Sequence, residues 1–495
     1  MSFRARRVLA AVVAATVGGV LGMGPTLSSA ADMTEQQMAD QLKALQAKVD
    51  QMGALQAKVD EMEARQEALN KANQQTTADL VAKDAKLHDQ LLDIGGLSAG
   101  YADNRFYIGS EDGDFVLRPW IHVQIRDTTT WRHGADYSGT EDDTQNGFEL
   151  RRARLGFDGN LFGKDLTYAI DWATNRQNST LTVKNSAGAT VGTTTAPVGG
   201  APILEEAWVK YHFPSTPYYF KVGQMHDPLD HENIVGSKFR APEASLQGDI
   251  FGNTDTFTQA ATFIYDPKES LRFEGGVTDG IRAANTPFED YPNNGVGYDG
   301  GLAGRVEYKV MGNWKDYDQL TSYGDSQDLL VLGSGADYSY ANSYYTLSHT
   351  LDVQYANTAG WFAYICYFGR YTNHQKGIPN AGGTSVSYGG SPADLGKDSY
   401  EPSILAQVAY LIDGKIEPFA RYEYLRLAGT PVDSQNNVND FSLGLNYYFH
   451  GHNLKFTGMM TYLPDGIPIT DDSADILISN NKSELVFLTQ LQLLL

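Results

Sequence analysis

The sequence holds a single cysteine, Cys366, in 495 residues. One thiol closes no intramolecular disulfide and builds no thiolate metal cluster, which removes disulfide-stapled, redox and zinc-thiolate classes. Basic residues are scarce as well. Thirty-eight Lys and Arg stand against 60 Asp and Glu, a net charge of −22. So acidic a chain repels polyanions, and nucleic acid is excluded as a partner. After the first 31 residues no run reaches the roughly 18 apolar residues that a spanning helix needs. No Ser-His nucleophile constellation is recognised, so no catalytic residue and no cofactor is expected.

What is present begins with an export signal. Arg4, Arg6 and Arg7 form a basic start, Val8 to Gly24 an apolar stretch, and Ser28-Ser29-Ala30-Ala31 a small-residue cleavage zone. Charge, length and cleavage chemistry together predict a signal peptide over residues 1–31. Its removal takes away three arginines and no acids, so the balance moves from −22 to −25.

Residues 32–95 form a second region, with no proline and a single glycine, Gly53, before Gly95-Gly96. Met38, Leu42, Leu45, Val49, Met52, Leu55, Val59, Met62 and Leu69 recur at spacings of three and four, the seam of a coiled coil. The repeat ALQAKVDQMG/ALQAKVDEME has period ten, an insertion of three relative to heptads that overwinds the supercoil locally. Asn73 and Thr76 interrupt the seam. A fully helical stalk of this length reaches about 90 Å at 1.5 Å per residue.

The remainder is rich in glycine (50), tyrosine (29) and phenylalanine (21) and alternates with a period of two. In DFVLRPWIHVQIRDTTTW, Phe115, Leu117, Ile121, Val123 and Ile125 share one face. Arg118, Trp120, His122, Gln124 and Arg126 share the other. About sixteen such runs follow one another, several of ten residues or more. Soluble strands average about five to six residues. Short turns such as Asp413-Gly414 alternate with long connections such as 175–202 and 370–400. In lipid every backbone polar group must pair internally, so a sheet spans only by closing on itself. The expectation is an all-β transmembrane barrel of about 16 antiparallel strands, preceded by an α-helical coiled-coil stalk. Residues 96–105 serve as linker and 106–495 as barrel, with oily faces toward lipid and wet faces lining a lumen. One run, WFAYICYFG (Trp361 to Gly369), is apolar on both faces, which places a loop folded into the barrel against its lumen side.

Several stretches also carry a resemblance. FELRRARLGFDGNLFGKDLTYAIDW (148–172), LEEAWVKYHF followed by YYFKVGQMHDPLDHENIVGSKF, IEPFARYEYL (416–425) and FSLGLNYYFHGHNLKFTG (441–458) are similar to the phosphate-selective porin O/P family of Gram-negative outer membranes. The resemblance covers most of residues 106–495. It implies a homotrimer in the cell outer membrane, contacting lipid and lipopolysaccharide, with the stalk in the periplasm. It further implies a third loop folded inward and a pore selective for small anions through rows of Lys and Arg. The loop after Lys221-Val222-Gly223-Gln224, roughly His226 to Leu246, is then the constriction, and it carries Lys238 and Arg240. Two features depart from the family pattern. APEASL keeps Glu243 but has Ala244 where a basic residue is common, and the chain finishes on Leu495, not on an aromatic.

Alternation nominates Arg118, Arg126, Arg152, Arg154, Lys210, Lys221, Arg272, Arg305, Lys309 and Arg421 as inward-facing cations, to which the loop adds Lys238 and Arg240. A ring of such groups concentrates anions and offers bidentate contacts to phosphate. Asp171, Glu206, Glu274, Glu307 and Glu423 fall on the same faces, and Arg305/Glu307 and Arg421/Glu423 are two apart. Two readings of these charges stand: a selective ring, or a general diffusion pore whose arginines hold neighbouring carboxylates. HDPLDH (226–231) and HGH (450–452) lack the i, i+4 spacing of many metal sites and read as structural, so no metal is assigned. A further reading makes the barrel an anchor with a non-selective pore, its coiled coil tethering the envelope to peptidoglycan. Acidic loops such as 141–143 and 471–472 offer divalent-cation contacts at a lipopolysaccharide surface.

Overall fold

Period-two alternation extends through almost the whole second half of the molecule, and a computed structural model turns it into a single wall. Residues 96–495 are described apart from 103–104, 134–141, 175–176, 185–189, 199–201, 242–243, 252–256, 282–297, 325, 342–343, 374–397, 428–436, 469–473, 478 and 480–481. Upstream, only Lys43, Gln46, Ala47, Met62 and Arg65 are described, and all five are helical and exposed. The chain divides into two units between Gln90 and Leu91. The expected signal peptide lies outside the described residues, as does the coiled-coil seam apart from Met62.

The second unit opens with a hairpin of β1 (Leu97–Ala102) and β2 (Arg105–Ser110), so the stretch expected as linker is itself partly strand. The wall then runs through β3 (Val116–His133), β4 (Asp142–Asn160) and β5 (Leu166–Ala173). Next come β6 (Gln177–Lys184) and β7 (Thr190–Val198), which pair only with each other, as a hairpin inside a connection expected to be a plain loop. The wall resumes with β8 (Ile203–His212), β9 (Tyr218–Met225), β10 (Thr258–Tyr265), β11 (Leu271–Thr278) and β12 (Gly300–Met311). It continues through β13 (Leu329–Ala341), β14 (Tyr344–Ala356), β15 (Trp361–Asn373) and β16 (Ser399–Tyr410). The last four strands are β17 (Ile416–Arg426), β18 (Asn437–His450), β19 (Leu454–Leu463) and β20 (Glu484–Leu494). Each neighbouring pair is antiparallel, and β20 closes on β3 from Leu494 beside His122 to Glu484 beside Arg132. The result is a closed barrel of sixteen strands, with no open edge for lipid to face. Leu495 extends the seam, exchanging backbone bonds of 3.1 and 2.9 Å with Ile121.

Outward rows are apolar and exposed, as at Ile121, Ile125, Leu155, Val306, Leu351 and Ile404. Aromatic pairs sit near both rims: Trp361 with Tyr410 (4.8 Å) at the short-turn end, Tyr338 with Tyr345 (5.5 Å) at the long-loop end. These are the two girdles of a membrane barrel. An arginine at the middle of this belt meets hydrocarbon. Leu351→Arg is expected to cost about 2–4 kcal/mol, read from denaturant unfolding of the barrel in lipid; an unchanged midpoint would deny that β14 faces lipid there.

Strict alternation fails at one place in β4. Gln124 pairs with Arg152 but Ile125 pairs with Leu150, so Arg151 is an extra residue, a β-bulge. Parity reverses across it: Phe148 and Leu150 point outward before the bulge, Leu155 after it.

The interior is partly a packed core. Phe362, Tyr364 and Cys366 of β15 join Leu405, Phe419 and Met459 of the wall with Val235, Ala241, Tyr317 and Leu320 from inward segments. Phe368 joins Leu229, Leu246, Ile250 and Phe251. The doubly apolar Trp361–Gly369 run thus has the partner its sequence demanded, a loop folded into the barrel.

Candidate functional site: a narrowed lumen

The connection between β9 and β10 turns inward at the long-loop end. It carries helix α1 (His231–Val235), a single 3-10 turn (Ser237–Phe239) and helix α2 (Leu246–Ile250). Both helices are short and need outside support. Asp230 caps α1 by accepting from Asn233 N at 3.3 Å, and Ser245 caps α2 by accepting from Gly248 N at 2.7 Å. The wall completes the second cap: Glu423 of β17 accepts from Leu246 N and Gln247 N at 3.2 and 2.8 Å, a carboxylate at the positive end of the helix. The inward segment therefore runs past Leu246, where sequence reasoning ended it, through Ile250.

Bonds to widely separated strands fix its course across the lumen. Thr350 Oγ1 donates to Leu229 O (2.9 Å), and His231 Nε2 meets Gln354 Oε1 (2.9 Å). Arg154 Nη1 donates to Ser237 Oγ (3.0 Å), and Gln492 Nε2 to Lys238 O (3.1 Å). Lys455 Nζ donates to Arg240 O (2.7 Å), Asn446 Nδ2 to Ala241 O (2.8 Å), and Arg421 Nη2 to Ala244 O (3.3 Å). Of the APEASL element, Pro242 and Glu243 lie outside the described residues. Burial and then Arg305 hold the His231 imidazole down to about 4, so it stays neutral and donates to Gln354. Burial, with Glu232 and Asp352 close by, pushes Asp230 up to about 7. The HDPLDH element thus anchors the loop to the wall.

The nominated cations divide into two groups. Most of the arginines are committed. Arg126 is fully buried, with Asp475 at 3.0 Å and Gln490 at 3.1 Å. Arg154 grips Glu205 at 2.6 and 3.0 Å. Arg305 makes a bidentate pair with Asp352, both contacts 2.8 Å, and reaches Glu307 at 2.6 Å. Arg272 pairs with Glu307 and, at 3.2 Å, with Asp318. Arg421 pairs with Glu423 at 2.9 Å. Arg240 donates to Glu232 O at 2.7 Å, its other Nη lying 3.7 Å from the Glu232 carboxylate. Arg152 donates to Gln124 Oε1 at 2.7 Å under the loop.

The second group is more open. Lys221 lies 3.8 Å from Glu274, with its ammonium 5.0 Å from the Trp208 ring centre. Lys210 lies over Trp208 and Tyr219 at 5.6 and 5.8 Å. Arg118 is 3.7 Å from Asp158, which also pairs with Arg105 of the preceding hairpin. Lys309 sits 5.0 Å from the Trp314 ring. Half-buried Lys238 stands 3.3 Å from the Trp120 ring centre, and burial together with Arg154 pulls its pKa down to about 8.

Exposure of the inward rows maps where water runs. From β13 to β20 nearly all the described inward polar side chains, Asp352, Glu417, Asp440 and Gln490 among them, are buried, with Arg370 keeping part of its surface. On β8, β9 and β11, Glu206, Lys210, Lys221 and Glu274 keep part of their surface. The open passage therefore lies against β8, β9 and β11. At its short-turn mouth Lys164, Lys210 and Lys268, with Asp165, Asp266 and His212, line a cavity of about 200 Å³. Sequence reasoning missed Glu232, Asp352 and Asp475, the partners that neutralise the arginines. No local spacing links Arg305 to Asp352 or Arg126 to Asp475; only the barrel register and the loop path do.

Residues 129–346 match the family described as phosphate-selective porin O and P, which bears out the resemblance read in the sequence. No curated protein matches. Among solved structures, the chain is similar in fold to OmpF of Salmonella typhi in complex with daunomycin, at 12% identity, covering 77% of this chain and 98% of that one, with a TM-score of 0.47. It is similar to an anion-selective porin from Comamonas acidovorans at 11% identity, 77% and 99% coverage and a TM-score of 0.47. The outer membrane channel DcaP of Acinetobacter baumannii aligns at 11% identity, 78% and 99% coverage and a TM-score of 0.42.

Proposed function

From a chain whose residues 129–346 fall in the phosphate-selective porin O and P family, and whose wall is a closed outer-membrane barrel, we propose a passive diffusion channel for small hydrophilic solutes with a modest preference for anions. The observation that carries this reading is the strip of partly exposed inward side chains on β8, β9 and β11, beside a loop that fills the rest of the lumen. Along that strip Lys210 and Lys221 lie over aromatic rings. Glu206 and Glu274 share the strip, so the preference is a field effect and not a phosphate clasp. The arginines best shaped for phosphate, Arg126, Arg154, Arg305 and Arg421, already hold carboxylates. Assembly as a homotrimer, with the N-terminal region in the periplasm, completes the proposal.

The test is single-channel recording in planar bilayers across a KCl gradient. A zero-current potential of the sign set by chloride supports the proposal, and a cation-selective current would end the anion preference. Lys221→Glu reverses a charge on the open strip and is expected to move that potential toward cation selectivity.

The Lys238 ammonium gives a pH signature. Its pKa of about 8 means that raising pH from 7 to 9 removes one positive charge beside Trp120. Anion preference should fall over that interval in the natural protein and stay flat in Lys238→Met. An equal fall in both would assign the titration to another group.

A further inference from the structure

Short turns close most of the end opposite the loops, with spans such as 357–360, 411–415 and 451–453. The connection 312–328 at the same end behaves differently. Gly312, at φ +97°, bends the chain out of β12, since a side chain there would collide with the backbone of Asp328 and Leu329. Helix α3 (Trp314–Tyr317) follows, capped by Asn313, whose side chain accepts from Asp316 N at 2.8 Å. The segment then enters the lumen, where Tyr317, Leu320 and Thr321 are buried.

Inside, it meets the loop arriving from the other end. Leu320 N donates to Phe239 O at 2.9 Å, and Ala241 N donates to Leu320 O at 3.1 Å, a parallel β-bridge centred on Arg240 and Leu320. The Tyr317 ring stacks on His231 of α1 at 3.9 Å and 10°. The turn is fixed independently to the wall. Gln354 Nε2 donates to Gln319 O (2.8 Å), Ser322 Oγ to Gly360 O (2.7 Å), and Tyr323 stacks on Tyr448 at 4.3 Å.

We propose that the turn 312–328 is a width-determining element of the channel: it holds the inward loop from the short-turn side and keeps it against the β13–β19 wall. The loop's own capping holds its helices together but does not set their distance from the passage. The wall bonds fix it from the sides, and the β-bridge and the His231–Tyr317 stack add a hold from the short-turn end. This inference rests on the channel reading.

Its test uses the full-length protein in planar bilayers, with heat-modifiable migration as the check on folding. In one variant a short Gly/Ser link replaces residues 313–327; in the other, Leu320→Ser removes the apolar packing of Leu320 against the cluster that holds Val235 and Ala241 of the loop and leaves the turn's length unchanged. The readouts are single-channel conductance and the size of neutral polyethylene glycol that enters. With the link, conductance should rise roughly twofold and larger polymers should enter, because passage is set by pore diameter. Leu320→Ser should give a smaller rise in the same direction. If the linked variant fails to fold, Leu320→Ser decides alone. Folded variants with natural conductance and natural cut-off would overturn the inference and leave the channel reading intact. A natural protein that conducts nothing would overturn both.

Discussion

Arg305→Ala is expected to lower the unfolding free energy by about 3–5 kcal/mol, the usual consequence of stranding buried charge. Arg305 is almost fully buried and sits between Asp352, at 2.8 Å through two bonds, and Glu307, at 2.6 Å, while also donating to the Tyr317 hydroxyl at 2.9 Å. Alanine leaves Asp352 without its bidentate partner, and water has little access to repair the loss. The control is Arg305→Met combined with Asp352→Asn, which removes one charge of each sign, leaves Glu307 paired with Arg272 and should recover most of the stability. Denaturant unfolding in lipid, followed by tryptophan fluorescence, gives both numbers. A single-variant loss below about 1 kcal/mol, the range of exposed pairs, would mean that water reaches this cluster and that the passage runs here as well.

Gly335→Val should dislodge the inward loop at its root. A Cβ at Gly335 would lie 2.0 Å from the Leu229 carbonyl oxygen and 2.8 Å from its carbonyl carbon, both backbone atoms that cannot rotate away. Either β13 or the loop must move. β13 is paired on both sides along its length, so the loop is the softer element. Its displacement breaks the Thr350–Leu229 bond and shifts His231 against Tyr317. The expected cost is about 1–3 kcal/mol, as for overpacked sites generally, together with an altered conductance in a barrel that still folds. Natural conductance and natural stability in that variant would show that the loop root sits off the wall.

How much of this is visible in the residues alone depends on the range of the interaction. Alternation is local, so strands such as Val116–His133 and Ile416–Arg426 are legible, and so is the closure that lipid demands. The ion pairs two apart, Arg305–Glu307 and Arg421–Glu423, are legible for the same reason: one strand face holds both partners. The Trp361–Gly369 run announces an inward packing partner because no lumen row exposed to water has reason to carry Phe362, Tyr364 and Phe368. What stays hidden depends on non-local geometry. The bulge at Arg151 is one added residue in a run that reads as plain strand on either side. The turn 312–328 reads as a polar connection, and its only signals are Trp314, Tyr317 and Leu320 at spacings of three among Lys, Asp and Gln. Nothing in that stretch names Phe239–Ala241 as its partner.

The uneven filling of the lumen has a consequence for how the chain tolerates change. Inward positions on β13–β19 are bounded on both sides by protein, so substitutions there obey the rules of a globular interior, where a lost methylene or an added volume is felt. The partly exposed inward positions of β8, β9 and β11, Glu206, Lys210, Lys221 and Glu274, border water and should accept most polar replacements. Two side chains at equal depth in the membrane, both facing inward, therefore live under different constraints according to their angular position around the barrel axis. Drift in permeation can accumulate on one arc while the opposite arc is held nearly fixed by the needs of folding.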